Sequence, residues 1–161
     1  MRLLFTLILL CASLFANTLE EIRHQGVVRI GVRDGRPPFS EEIGGKFEGF
    51  EIELANAIAK GIFASKQGEV QFVSLTASTS ASDRVSYLVN NKVDLVIATF
   101  VIDAERKKHV DFSTPYFSTN LGVLTRKADA ITDISKLREI KLITEAGTTI
   151  DNYLKKEKFT N

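Results

Sequence analysis

The chain has 161 residues, a formal net charge of +1, 44% apolar residues and 25% charged ones. That length and composition suit a soluble globular domain with a real core, and the charge balance gives no reason to invoke nucleic acid or an anionic membrane surface. One cysteine and two histidines are too few for a dedicated zinc cluster, so neither metal nor cofactor is expected.

Residues 1–16 read as a secretory signal peptide. Arg2 supplies the positive start, and residues 3–14 form an apolar run too short to span a bilayer. Ala16 is a suitable residue before the cut. Ile8-Leu9-Leu10 is not the small-residue box that lipidation of Cys11 would need, so Cys11 is expected to leave with the signal. The mature chain then has no cysteine for an oxidising compartment to act on.

Residues 19–25 read as a short amphipathic helix closed by Gly26, with His24 on its surface. Residues 27–32 form a buried strand. The loop that follows carries Arg33, Arg36 and Pro37-Pro38-Phe39, and its prolines restrict φ and so stiffen it. Gly44-Gly45 marks a hairpin turn. Leu54, Ile58 and Ile62, flanked by Ala55 and Ala59, recur at helical spacing over residues 50–63, with Glu51 and Glu53 in a first turn that favours anions. Residues 70–75 read as a strand and residues 76–82 as a flexible polar insert. A helix over 83–90 follows through Val85, Leu88 and Val89, and then a strand over 93–98 that contains Asp94. Strand and helix in alternation predict a parallel sheet. The loops after the first strand and after Ala98 then open on one edge, which brings 33–39 and 99–106 around one cleft.

The second of those loops holds Thr99, a capping Asp103 and Arg106. A fixed guanidinium binds a carboxylate through two parallel hydrogen bonds. On spacing alone, Arg106 reads more readily as part of a solvated run of charge, 105–108. Further on, residues 121–126 and 140–144 read as strands, with a short helix over 133–138 between them. Gly147-Thr148 then opens a helix, either as an anion site or only as a cap.

Thr99-Phe100, then Glu105-Arg106-Lys107-Lys108, then Asp111-Phe112-Ser113 and Pro115-Tyr116 resemble in order and spacing the signature of family 3 solute-binding proteins, the periplasmic amino-acid receptors of ABC transporters. Gly49-Phe50-Glu51-Ile52-Glu53-Leu54-Ala55 and Pro37-Pro38-Phe39 match further elements of that family. The resemblance covers about residues 27–150. It implies an α/β, periplasmic-binding-protein-like fold: a mostly parallel sheet flanked by helices, with lobe 1 over 17–124 nearly complete and lobe 2 only begun over 125–161. It implies a monomer in the periplasm that binds an amino acid and hands it to a permease. Arg106 would clamp the α-carboxylate, helped by Thr99 and Thr148. Arg33, Arg36, Phe39 and Glu145 would face the rest of the ligand. Two arginines suit an acidic side chain and Glu145 argues against one, so the resemblance implies a polar ligand of open charge.

Two departures stand out. The family's usual threonine two places after Thr99 is Val101 here, a lost hydroxyl worth about 1.5–3 kcal/mol against a charged group. The acid that meets the ligand's α-amino group comes from a part of the family fold beyond residue 161, so a fragment with weak binding is expected, lacking hinge closure between two lobes. The alternatives are an enzyme on the same fold, dehydratase-like or lytic-transglycosylase-like, with His109, Glu105 or Glu145 as acid or base, and a sensor or adhesion module.

Overall fold

The computed structural model describes residues 17–64, 66–75, 81–129 and 131–159. The expected signal peptide, and residues 76–80 of the expected insert, lie outside the described residues. In chain order the elements are α1 (Leu19–Gln25), β1 (Val27–Arg33), β2 (Glu41–Ile43), β3 (Lys46–Glu48), α2 (Phe50–Phe63), β4 (Glu69–Leu75), α3 (Ala81–Val89), β5 (Leu95–Ile97) and α4 (Thr149–Lys156).

The chain is led into its sheet by a capped helix. The Thr18 hydroxyl accepts from the Glu21 N–H, while the Glu21 carboxylate accepts from the Thr18 N–H at 2.7 Å, which closes a capping box. Gly26 ends α1 with φ 73°, a conformation that costs glycine little. β1 then runs through the middle of a sheet ordered β4-β1-β5 and is parallel to both neighbours, as the alternation of elements predicts. A central strand covered on its faces is apolar along its length. Val28, Ile30 and Val32 of β1 are 0% exposed, and α2 lays Ile52, Ala55, Ala59 and Phe63 against them. The Gly44-Gly45 turn joins β2 and β3 as an antiparallel hairpin.

The register of β1 on β5 is fixed at the end where β5 begins. The Asp94 carboxylate accepts from the Arg29 N–H (2.8 Å), from Arg29 Nε (3.1 Å) and Nη2 (2.6 Å), and from Asn17 Nδ2 (3.2 Å). Its side chain is 1% exposed. Asp94 is therefore a tie between strands, and the strand expected over 93–98 narrows to Leu95–Ile97.

Three other expectations change. The helix expected over 83–90 starts at Ala81. The short helix expected over 133–138 is a 3-10 turn, Ile134–Glu139, capped by the Asp133 carboxylate on the Ser135 N–H. The strands expected over 121–126 and 140–144 do not form. Both have strand-like composition, but a strand needs a neighbour for its backbone donors and acceptors. Among the described residues no strand lies alongside either one, and Leu124 and Ile143 are 100% and 92% exposed.

Candidate functional site

The carboxyl ends of β1 and β5 are adjacent and carry the two loops the sequence singles out. The loop after β1 is braced against α2. Phe50 N–H donates to the Pro38 carbonyl (3.0 Å) and Glu51 N–H to the Phe39 carbonyl (2.8 Å), so two of the helix's otherwise unused first donors are met by this loop. Gly49 makes the approach possible. Its φ is 124°, and a Cβ there would stand 2.5 Å from the Phe39 carbonyl oxygen. Phe39 is held edge-on to Phe117 (4.9 Å between centroids) and to Phe50 (6.3 Å).

The loop after β5 begins with Thr99 at φ 47°, a left-handed conformation that strains a β-branched residue. Glu51 holds it there. This carboxylate, 0% exposed, accepts through Oε1 from the Thr99 N–H and from the Tyr116 hydroxyl, each at 2.5 Å. Its Oε2 is buried without a hydrogen-bond partner among the described residues. Burial, and then the hydrogen bond to Glu51, raise the Tyr116 hydroxyl above its ordinary pKa of 10.0. Glu51 thus does more than complement a helix dipole: it joins α2 to both ends of the second loop.

Arg106 is fixed three ways. Nη1 donates to the Val101 carbonyl (2.7 Å), Nε pairs with Asp103 (3.1 Å), and the guanidinium lies 4.2 Å from the centroid of Phe100. Asp103 also caps the turn by accepting from the Arg106 N–H (3.0 Å). The position that lacks the expected hydroxyl therefore still contributes its carbonyl to Arg106. Only 11% of the Arg106 side chain is exposed, and desolvation pulls its pKa below the usual arginine value, partly opposed by Asp103. Arg106 is thus not a member of a solvated run. Glu105 is: 77% of its side chain is exposed, and it pairs outward with Lys108.

Arg106, Thr99, Arg33, Arg36, Phe39, Thr148 and Glu145 all line one open cavity of about 1740 Å³. The cavity also takes in Glu51, Tyr116, His109 and Arg84. Arg33 is 7% exposed at the end of β1, and its Nη2 reaches Glu145 Oε2 at 3.4 Å; Arg36 reaches the same oxygen at 3.6 Å. Thr148 caps α4 by accepting from the Asp151 N–H (3.1 Å), and the Gly147 N–H donates to the Asp151 carboxylate (2.8 Å). At this helix start the capping groups use donors that an anion would otherwise take.

Arg84 is a residue that the sequence reading passed over. It is 4% exposed, donates to the Ala98 carbonyl at 3.4 Å, and lies 5.7 Å from the Phe100 centroid. Desolvation lowers its pKa most, followed by repulsion from Arg33. The signal was present: Arg84 stands one helical repeat before Leu88, a cation on the apolar stripe of its helix. No cluster of histidine, cysteine or acids suited to a metal occurs among the described residues, and no helix among them is long and apolar enough to cross a membrane.

Four similarities to known proteins bear on this arrangement. The family model described as bacterial extracellular solute-binding proteins, family 3, matches residues 28–160. The glutamine-binding protein of Geobacillus stearothermophilus is 32% identical over 143 residues, 87% of this chain and 53% of the relative. The crystal structure of the cysteine-binding protein from Campylobacter jejuni superposes with a TM-score of 0.76 at 38% identity, over 87% of this chain and 55% of that one. The arginine-bound form of domain 1 from TmArgBP matches with a TM-score of 0.51 at 33% identity, over 60% of this chain and 71% of that domain. The chain spans about half the length of the curated relatives it matches.

Proposed function

The chain belongs to the bacterial extracellular solute-binding proteins of family 3, and on that premise we propose that it captures a free amino acid outside the cytoplasm for delivery to an ABC transporter. The α-carboxylate is received by Arg106, whose guanidinium is held by Val101, Asp103 and Phe100 before any ligand arrives. A group already fixed in place loses little freedom on binding, so more of the gross interaction energy appears as affinity. Thr99 and the Phe39 loop flank it, and Glu145 and Thr148 close the opposite wall.

The observation that carries this reading is convergence. Side chains from the end of β1, the loop after it, the loop after β5 and the start of α4 face one cavity, with a rigid arginine in its wall. Relatives of the same family are named for binding glutamine and cysteine, in keeping with a ligand of this class. The arginine-bound domain 1 of TmArgBP supports binding by a first lobe alone, against the expectation that half a clamp binds weakly.

Isothermal titration of this chain against a panel of amino acids tests the proposal. At least one should bind, and Arg106→Ala should weaken it by roughly a hundredfold, the equivalent of about 2.7 kcal/mol for a charge-assisted pair. Binding that is indifferent to Arg106, or a panel with no binder, refutes it.

A further inference from the structure

The wall around Arg106 holds more positive charge than an α-carboxylate uses. Arg33, Arg36, Arg84 and Arg106 all line the same cavity. Arg106 has its own counter-ion in Asp103. Glu51 is committed to Thr99 and Tyr116, and Asp94 to Arg29. Asp111 lines the cavity as well, but Glu145 is the one carboxylate among the described residues that pairs with Arg33 or Arg36; both contacts, 3.4 and 3.6 Å, are longer than a tight charge-assisted bond. Arg84 forms no ion pair among the described residues, although it is 4% exposed.

Two donors in this wall are also unmet. Arg33 Nε and Arg84 Nε are both buried without a hydrogen-bond partner among the described residues. Native interiors rarely leave such groups unsatisfied, and the cost is greatest for charged ones. Glu145 sits on the segment before α4 with 38% of its side chain exposed, so it can swing into solvent without disturbing the sheet.

We propose that this cluster selects an amino acid whose side chain carries a negative charge, and that Glu145 is an internal counter-ion which that side chain displaces. The inference rests on the reading above, in which Arg106 takes the α-carboxylate. It adds a second anion subsite formed by Arg33, Arg36 and Arg84. An anionic side chain there supplies acceptors for the unmet donors and replaces a weakly held carboxylate. A neutral side chain does neither, and it leaves three guanidiniums sharing one long contact pair. Two ligand chemistries bring such a charge: a carboxylate, or a thiol held as thiolate by the surrounding cations.

Titration of the chain with matched pairs tests this. Aspartate and glutamate are compared with asparagine and glutamine, and cysteine with serine and S-methylcysteine, which cannot ionise. The charged member of at least one set should bind about tenfold or more tightly than its neutral partner. A lead for aspartate or glutamate identifies the carboxylate as the source, and a lead for cysteine over both its analogues identifies the thiolate. Equal binding of charged and neutral partners overturns the inference while leaving amino-acid capture intact; no binding by any member overturns both. Glu145→Gln, an exposed change that leaves the core alone, should tighten the preferred charged ligand by about threefold or more, because a competitor has been removed. Unchanged or weaker binding by Glu145→Gln overturns the counter-ion role.

Discussion

Residues 19–98 and residues 99–159 are held in place by different means. Apart from Leu137, every buried hydrophobic residue described lies in the first stretch, around β1 and under α2. In the second stretch large apolar side chains face outward: Leu121, Val123, Leu124 and Ile143 are all exposed. What positions that stretch near the cavity is polar: Glu51 on Thr99 and Tyr116 and Asp103 on Arg106, with Glu145 only loosely against Arg33 and Arg36. A packed sheet thus sets where the site is, and a few hydrogen bonds set the shape of its far wall. Broad hydrophobic packing resists local opening more than a few polar ties do, so the two stretches should respond to mutation very differently.

The largest expected contrast comes from truncating one apolar side chain in each stretch. Ile30→Ala, at a fully buried site in the central strand, should cost about 2–5 kcal/mol in urea unfolding. Leu124→Ala, fully exposed, should stay within about 0.5 kcal/mol of the parent. Comparable losses would erase the contrast. Gly49→Ala falls between them. Its Cβ collides with the Phe39 carbonyl, so a cost of roughly 1–3 kcal/mol is expected, together with weaker ligand binding because the Phe39 loop must shift. A stability loss with unchanged affinity would show that the loop does not shape the site.

Tyr116 sharpens the comparison through pH. Its hydroxyl pKa is raised in the folded chain, so the folded state holds that proton more tightly than the unfolded state does. The contribution is present below the ordinary value of 10.0 and is lost as pH rises through and beyond it. Wild type should therefore lose its advantage over Tyr116→Phe as titration of unfolding is carried from neutral pH to above about 10. A gap that is constant with pH would place the Tyr116 hydroxyl outside the network with Glu51.

Much of the first stretch was legible in the sequence because its signals are local. Leu54, Ile58 and Ile62 declare a helix, Gly26 and Gly44-Gly45 declare stops, and alternating elements declare a parallel sheet. The gathering of Arg33, Phe39, Thr99 and Arg106 followed from topology. What the sequence hid depends on distant partners. The apolar runs at 121–126 and 140–144 look like strands, but strand formation is decided by a neighbour, and none lies beside them among the described residues. Glu51 reads as a helix-start acid, since nothing local reveals that Thr99 and Tyr116 will come to it. Arg84 reads as one polar position in an amphipathic helix until burial shows which way it faces.

The tie between Arg29 and Asp94 has a further consequence. It indexes the strands at the end where β5 begins, opposite the loops that carry Arg33 and Thr99, so alignment of the sheet does not depend on what those loops contain. Substitutions in those loops can therefore accumulate without scrambling strand order. Relatives named for binding glutamine and cysteine share this family, as expected of a scaffold whose strand order is set apart from its loops.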